Sequence, residues 1–456
     1  MADATGERLT AQQRLVVVIA ILASFVSFLD GSVVNVALPA ISRELGGGLT
    51  TQQWVVDAYL VTLSALMLLA GSVSDAFGRI LVMRWGLVGF GFSSLVIAAA
   101  PDPALLVAAR AVQGAAGAFL VPSSLALITA AIRPPLQARA IGVWTAWTTA
   151  AMIAGPLIGG LFVDLLSWRL VFLINVLPIG VTLWLLTRLE ARNARRPGVR
   201  IDLAGGALCA LGLGAAVFAL IEQPRLGWSS PAIAVPLVIG AVLFAAFLLR
   251  QRRVRDPILP LELFTVRNFS AGNLATLFIY AALALNGFVV GVYLQQGAGL
   301  PATLAGLASL PVTILMILLS ARAGTLAGRW GTRGFMTAGP LVMAVGAALL
   351  LTVKHDFDYV RQVLPSMIVL GAGLALTVSP LTATVLGAID TERSGIASAV
   401  NNAVSRVAGL LVIALLATIV GGRLDLAGFH SAAVVTAVLF AAGGVASWLG
   451  VRDAPA

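Results

Sequence analysis

Long apolar segments recur along the whole chain, and they constrain its fold more than any other feature. An α-helix of about 20 apolar residues is long enough to cross the hydrocarbon core of a bilayer. Such segments predict about fourteen helical spans, at residues 15–40, 52–72, 80–100, 104–131, 139–165, 169–188, 203–222, 231–250, 270–296, 302–322, 334–353, 362–388, 394–420 and 431–450. The sequence therefore predicts an all-α polytopic membrane protein.

Composition agrees with this class and excludes several others. Hydrophobic residues make up 59% of the chain and charged residues only 11%, which leaves too little polar surface for a soluble domain. The net charge of +10 comes with no compact basic domain, so no nucleic-acid partner is predicted. The single cysteine, Cys209, excludes disulfides and cysteine-based metal centres. No metal, cofactor or enzymatic nucleophile is predicted.

The distribution of cations predicts an orientation with both termini in the cytoplasm. Most of the 29 lysine and arginine residues then lie in cytoplasmic loops, as the positive-inside rule requires. Six cations lie on the outer side, namely Arg43, Arg169, Arg225, Lys354, Arg361 and Arg423. Two more, Arg110 and Arg406, lie inside spans.

Two pairs of segments indicate an internal duplication of a six-span unit. Residues 71–80 align with residues 324–333, and residues 114–132 align with residues 371–389. Two related bundles with a substrate path between them are a common transporter plan. The predicted division is an N-terminal bundle at 15–190, a central pair of helices at 191–268 and a C-terminal bundle at 269–450, with cytoplasmic ends at 1–14 and 451–456.

The two halves of the repeat differ in their ionisable residues. Three charged residues of the first half align with uncharged residues of the second: Asp75 with Gly328, Asp57 with Leu310 and Arg110 with Met367. Duplication for packing alone gives no reason for this asymmetry. We therefore expect the N-terminal bundle to be specialised in handling protons.

Four motifs in order give a resemblance to a known family. They are LDGSVVNVALP (29–39), GSVSDAFGR (71–79), LVAARAVQGAAGA (106–118) and GVWTAWTTAAMIAGPLIGG (142–160). The chain resembles the fourteen-span drug:proton antiporters of the major facilitator superfamily, although Ala76, Ile80 and Ala151 depart from the motifs. The resemblance implies two six-helix bundles with two extra central helices, and drug export by alternating access.

Asp30, Arg110 and Asp57 are the candidate proton-coupling residues. A charge at mid-membrane costs at least ~2.5–3.5 kcal/mol, so Asp30 is expected to face a polar cavity or to be neutral. The alternative is a structural aspartate held by hydrogen bonds from Asn35 or Ser27. Arg110 stays protonated and needs an acceptor, for which Asp30 and Asp57 are candidates. Asp57 lies nearer the outer surface, where it is equally well explained as a polar cap.

Other polar residues within the spans are candidates for the substrate cavity. The predicted cavity residues are Asn35, Tyr59, Gln113, Asn286 and Asn401. Alternatives remain open for all of them: Asn35 as a structural donor to Asp30, Tyr59 as an interfacial belt residue, Gln113 as a structural partner of Arg110, and Asn286 and Asn401 as helix-to-helix hydrogen-bonding groups.

Two glycine-containing motifs predict moving or sealing parts. The first forms a predicted cytoplasmic gate from Gly71, Asp75, Gly78, Arg79 and Arg133, and its alternative is a solvated loop that only sets topology. The second is the fifth-span antiporter motif at Gly142, Gly155, Pro156, Gly159 and Gly160, where small residues allow close helix approach. Ordinary packing is the alternative for this motif.

These features predict a proton-driven efflux transporter of a bacterial plasma membrane, acting as a monomer on amphipathic or cationic drug-like molecules. The nearest alternative is an exporter of one antibiotic, metabolite or lipid. A non-transporting membrane sensor or scaffold is the alternative from another class.

Overall fold

The structure is a computed structural model that describes residues 9–190, 201–390 and 393–453. Within these ranges it contains fourteen helices long and apolar enough to cross a membrane. They are α1 (Ala11–Leu45), α2 (Gly48–Phe77), α3 (Arg79–Ala98), α4 (Pro103–Ala131), α5 (Arg139–Leu165), α6 (Leu170–Thr187), α7 (Leu203–Leu226), α8 (Pro231–Gln251), α9 (Arg267–Gln296), α10 (Ala302–Trp330), α11 (Thr332–Thr352), α12 (Tyr359–Gly387), α13 (Gly395–Ala414) and α14 (Leu426–Gly450). The predicted number and order of spans are confirmed. Parts of the predicted cytoplasmic ends and of the basic loop at 191–200 lie outside the described residues.

Several spans are interrupted or extended. Four of them contain a break or an irregular turn: α4 (Pro103–Gly117 and Leu120–Ala131), α6 (Leu170–Leu173 and Val176–Thr187), α10 (Ala302–Leu307 and Leu310–Trp330) and α12, whose first turn at Tyr359–Val363 is a π-helix. The helix of α5 starts earlier than the span, at Pro134–Leu165, and α11 ends in the 3₁₀ turn Leu350–Thr352. Short helices at Leu261–Thr265 and Leu416–Ile419 lie outside the spans.

Helix α1 is longer at both ends than the predicted span at 15–40. Thr10 and Gln13 form a capping box, in which each side chain accepts a hydrogen bond from the other residue's backbone N–H, and this starts the helix at Ala11. The helix continues past Pro39 and ends before Gly46, whose φ of 84° favours glycine.

Backbone geometry supports the internal repeat. Gly78 separates α2 from α3 with φ 92° and ψ 139°, and Gly331 separates α10 from α11 with φ 91° and ψ 152°. A side chain would strain the backbone at either position. The two aligned glycines thus make the same turn in both halves.

The central pair, α7 and α8, packs against the rest of the chain through α2 and, to a smaller extent, through α13. Gly206 lets α7 approach Leu69 of α2, and the indole of Trp54 donates to the Glu222 carboxylate at 3.1 Å. At the other end of α7, Asp202 accepts from the Gly205 amide at 2.9 Å and from the Arg250 guanidinium at 2.7 Å. Burial opposes ionisation of Asp202, but these donors hold its pKa below the ordinary value.

Candidate functional site: a buried ion pair between two bundles

The centre of the N-terminal bundle is an ion pair between Asp30 of α1 and Arg110 of α4. A terminal nitrogen of Arg110 donates to Asp30 Oδ2 at 2.7 Å. The side chain of Asp30 is 0% exposed and that of Arg110 is 2% exposed. Of the two acceptors considered for Arg110, the structure places Asp30 beside it.

Amide side chains complete the environment of the carboxylate. Asp30 Oδ1 accepts from Gln113 Nε2 at 3.2 Å and from Asn175 Nδ2 at 3.1 Å. Gln113 also accepts from Arg110 at 2.5 Å and donates to the Ser94 hydroxyl at 2.8 Å. Side chains from α1, α3, α4 and α6 therefore meet around one negative charge.

The guanidinium of Arg110 is held on its remaining sides by α2. Its Nε donates to the Val55 carbonyl oxygen at 2.9 Å, and its central carbon lies 4.3 Å from the centre of the Tyr59 ring. The Tyr59 hydroxyl lies 3.4 Å from the Ser27 hydroxyl. A planar cation stacked on an aromatic ring and bound at its edges has little freedom to move.

The environment of Asp30 differs from the expected polar cavity. Its charge is balanced by an adjacent cation and two amide donors, with helices packed around the pair, so water is not required for solvation. Ser27 and Asn35, the donors considered from sequence, are not the partners that the structure gives it. The more distant Gln113 and Asn175 take that role because α4 and α6 pack against the same side of α1.

Asp57 is buried in α2 without comparable support. It is 0% exposed, and neither carboxylate oxygen has a hydrogen-bond partner in the described part of the chain. One turn earlier, Gln53 donates to the Ile413 carbonyl oxygen of α13 at 2.6 Å. Asp57 thus lies on the side of α2 that approaches the second bundle. A carboxyl group without donors is buried at lower cost as the neutral acid.

One face of α1 borders the space between the bundles. Helices from both bundles surround α1, yet Gly31 is exposed in the middle of the span, and Asn35 is half-buried one turn away. On α9, which is also surrounded, Gly287 is exposed at a similar depth. Asn35 thus lies on the same face of α1 as Gly31, and its place in a substrate cavity stays a prediction.

The remaining cavity candidates lie in different surroundings. Tyr59 and Gln113 are buried around Arg110, and neither lines an open surface. Asn401 of α13 donates to Asn273 Oδ1 at 3.1 Å and to Thr276 Oγ1 at 2.8 Å on α9, so it joins two helices. Asn286 is half-buried, and its side-chain oxygen has no partner among the described residues.

The predicted gate residues surround the turn between α2 and α3. Gly71 is exposed, and Gly78 makes the turn. The Asp75 carboxylate lies 3.9 Å from the Arg79 guanidinium. Arg79 also donates to the Ala126 carbonyl oxygen of α4 at 2.7 Å. Of the two arginines considered for Asp75, the structure places Arg79 nearby, while Arg133 is exposed at the start of the α5 helix.

The antiporter motif lies against two different helices. A Cβ atom at Gly155 would lie 2.0 Å from the Ser32 hydroxyl oxygen, and one at Gly159 would lie 2.4 Å from a methyl carbon of Val33, both on α1. On the next face, a Cβ atom at Gly160 would lie 2.4 Å from the backbone of Thr303 at the start of α10.

Two further motif residues differ in their surroundings. The Pro156 carbonyl oxygen lies against Gly306 of α10. A Cβ atom at Gly142, in contrast, would meet no atom within 4 Å apart from its own helix backbone. Small residues at 155, 159 and 160 allow α1, α5 and α10 to meet closely.

Hydrogen bonds join the two bundles at the same end of the molecule. The Asp164 carboxylate of α5 accepts from the Ala302 amide at 2.9 Å and from the Thr303 amide and hydroxyl at 2.8 and 2.6 Å. Nearby, Gln295 Nε2 of α9 donates to the Val36 carbonyl oxygen of α1 at 3.1 Å. This end, which is the predicted outer end, is closed.

Sequence reasoning missed Asn175, Ser94 and Asp164. Each carried a usable signal, because a polar residue within or at the end of an apolar span is costly unless it has a partner. What the spacing left undetermined was the partner. Asn175 is 145 residues from Asp30, and Asp164 is 138 residues from Ala302.

Comparison with known proteins agrees with this architecture. The sequence profile described as Major Facilitator Superfamily matches residues 20–413. The chain therefore belongs to the major facilitator superfamily, a class of membrane transporters, as its motifs predicted. It is a multi-pass plasma-membrane transporter and not an enzyme.

Similar proteins include resistance proteins of bacteria. The chain is 37% identical to a puromycin resistance protein from Streptomyces alboniger over 90% of this chain and 81% of that protein. It is 33% identical to a multidrug resistance protein from Mycobacterium tuberculosis over 89% and 75% of the two chains. It is 32% identical to a methylenomycin A resistance protein from Streptomyces coelicolor over 92% and 88%.

Solved structures share the fold at low sequence identity. A D-xylose-proton symporter superposes with a TM-score of 0.71 at 15% identity, covering 96% of this chain and 98% of the other. At that identity the likeness concerns the fold alone.

Proposed function

We propose that this protein exports antibiotics or other drug-like molecules across the bacterial plasma membrane in exchange for protons. The single observation that carries this proposal is the Asp30–Arg110 pair, held by Gln113 and Asn175 at the centre of a chain whose relatives are named for drug resistance. Asp30 is a titratable group at a depth where hydrocarbon would otherwise exclude it, and such groups commonly serve in proton pathways.

In this proposal Asp30 takes up and releases the coupled proton. Protonation of Asp30 removes the charge that Arg110 holds, so the ion pair weakens and the contact between α1 and α4 changes. Arg110 remains charged throughout and couples the protonation state of Asp30 to the positions of both helices. Asn175 and Gln113 keep the carboxylate oriented while it is ionised.

Asp57 is a second proton-coupling candidate with a different environment. It lies in the contact between α2 and α13, which must change when the two bundles move relative to each other. In the conformation that opens to the outer side, Asp57 would be exposed to water and could ionise. This supports a role for Asp57 in linking proton exchange to that motion.

The closed end is proposed to be the outer gate. With both termini in the cytoplasm, Asp164, Gln295 and the glycines of the antiporter motif seal the outer side. The residues around Gly78 then belong to the cytoplasmic gate. Inward movement of one charge releases ~2.3 kcal/mol per 100 mV of membrane potential, which is available to drive export.

The experiment that tests this function is drug-induced proton release from the purified protein. Wild type is expected to release protons when it binds a substrate, and vesicles with an imposed pH gradient are expected to move that substrate. Asp30→Asn is expected to abolish both signals, with Asn402→Gln, which alters an exposed amide elsewhere, as the matched control. Gradient-driven transport that survives Asp30→Asn would refute the role of Asp30.

A dedicated exporter of one compound is the second candidate function. Relatives named for a single antibiotic, puromycin or methylenomycin A, favour it. Growth inhibition by a broad drug panel, with and without expression of the protein, separates the two. Protection against a single compound indicates the dedicated exporter, and protection against several unrelated compounds indicates the broad one.

A further inference from the structure

The C-terminal bundle contains a mid-membrane cation that the proposed proton-coupling cycle does not use. Arg406 lies near the middle of α13, and its side chain is half-buried. The structure shows no hydrogen bond or ion pair for it within residues 9–190, 201–390 and 393–453. Arg110, in contrast, is fully paired with Asp30.

The position of Arg406 on its helix points to the space between the bundles. One side of α13 packs on α9, where Asn401 donates to Asn273 and Thr276. Another side packs on α2, where Leu410 and Ala414 contact the cluster around Val61. Arg406 lies between these two sides of the helix.

Two tyrosines mark the surroundings of the guanidinium. Tyr59 of α2 in the first bundle and Tyr280 of α9 in the second belong to the two helices that pack on either side of α13. Tyr280 is one turn from Thr276 and two turns from the exposed Gly287. The cation therefore lies close to both bundles, beside the face of α9 that borders the space between them.

No acidic residue within the spans of the second bundle is available to neutralise the charge of Arg406. The spans α9 to α14 contain no aspartate or glutamate. In the first bundle, Asp30 is already bound to Arg110, and Asp57 has no ion-pair partner in the described part of the chain. An arginine at this depth always carries its charge, so it requires an anionic or strongly accepting partner.

We propose that Arg406 binds the anionic group of the transported substrate, which selects amphipathic molecules bearing a carboxylate. A carboxylate accepts two parallel hydrogen bonds from a guanidinium. A cationic substrate is disfavoured because the positive charge of Arg406, which is poorly screened by water at this depth, would repel it. This inference rests on the proposed export function, and it narrows the expected amphipathic or cationic substrates to amphipathic anions.

Binding of three probes with one aromatic body and different charges tests this inference. The probes are pyrenebutyrate, its neutral methyl ester and a pyrenylbutyl trimethylammonium, and their affinity for the purified protein in nanodiscs is measured by pyrene fluorescence. Wild type is expected to bind the anion at least tenfold more tightly than the cation. Arg406→Gln is expected to bring this ratio close to one, while Arg406→Lys retains most of the preference.

Arg423→Gln is the matched control, because it removes one positive charge from an exposed position outside the spans. It is expected to leave the ratio unchanged. A wild type that binds anion and cation equally overturns the inference, and this measurement needs no variant to fold. An equal loss of affinity for all three probes in Arg406→Gln also overturns it, since that result indicates a structural role.

The binding assay separates this inference from the proposed function. It requires neither a pH gradient nor turnover. Anion preference without gradient-driven export would support the role of Arg406 and refute proton-coupled export. Gradient-driven export without anion preference would support proton-coupled export and refute the role of Arg406.

Discussion

The two bundles share a backbone plan but use their polar residues differently. In the N-terminal bundle, the polar side chains converge on one ion pair, in which Asp30 is bound by Arg110 and by the amides of Gln113 on α4 and Asn175 on α6. In the C-terminal bundle, Asn401, Asn273 and Thr276 form an uncharged contact between α9 and α13. Arg406 stands apart from that contact.

This difference shows how a duplicated fold can divide its tasks. The matching turns at Gly78 and Gly331 preserve the geometry of the repeat, because no other residue adopts that backbone without strain. The aligned pair Arg110 and Met367 is free to diverge, since both are buried and only their partners differ. The two halves thus share the turn, whereas the charged residues at these aligned positions occur only in the first half.

The largest expected effect comes from making the first bundle resemble the second. Arg110→Met removes the cation that pairs with Asp30 and leaves a buried carboxylate without its ion-pair partner. We expect the free energy of unfolding to fall by about 3–5 kcal/mol and gradient-driven export to be lost. Thermal unfolding in detergent and dye transport in vesicles measure the two effects.

The matched control for this change is Met367→Leu at the aligned position. A volume-conserving apolar exchange is expected to cost less than about 1.5 kcal/mol. Export that persists in Arg110→Met would show that the charge asymmetry has no role in coupling.

A smaller effect is expected where the two bundles meet. In Gly160→Ala, the added methyl carbon would lie 2.4 Å from the backbone of Thr303, so α5 of the first bundle and α10 of the second must separate. Overpacking of this kind costs about 1–3 kcal/mol. We expect faster labelling of a cysteine placed near the outer end of α10, because the outer gate opens more often.

Gly142→Ala serves as the control in the same helix, since no atom lies within 4 Å of the added carbon. Alanine is expected to stabilise the helix there by up to about 1 kcal/mol. Equal effects of the two alanines would contradict the sealing role of the antiporter motif.

Two asparagines provide a direct comparison of charged and uncharged contacts. Asn175→Ala removes a donor to the Asp30 carboxylate, and hydrogen bonds to charged groups contribute about 1.5–3 kcal/mol. Asn401→Ala removes donors to neutral groups, which contribute about 0.5–1.5 kcal/mol. Chemical unfolding of both variants should rank Asn175→Ala as the more destabilised. The reverse ranking would mean that the first bundle gains no stability from its charge.

The smallest effect is expected at Asp75, whose aligned residue is Gly328. The Asp75–Arg79 pair is partly exposed and its atoms are 3.9 Å apart, so Asp75→Asn should change the free energy of unfolding by about 0–1 kcal/mol. Transport rate is the more informative measurement, because a gate residue alters the rate without altering stability. An unchanged rate would favour a loop that only sets topology.

Much of the fold followed from hydropathy, because the bilayer requires each long apolar segment to be a helix. The same rule exposed Asp30 and Arg110 as exceptional, since each lies within an apolar span. Individual roles were harder to predict. Gln113 and Tyr59 were expected to line a cavity, but the structure packs them against Arg110, because α2 and α4 bring their side chains to the guanidinium.

The sequence by itself determined that this protein crosses a membrane many times, that its halves are related, and that charge is concentrated in the first. These properties depend on residue type and local spacing, which a linear chain records. Only the tertiary structure decided that Asn175 supports Asp30, that Asp164 joins α5 to α10, and that Arg406 lies between the bundles with no hydrogen bond or ion pair from the residues that the structure describes. Those relations join residues far apart in the chain, and helix packing alone sets the distances between them.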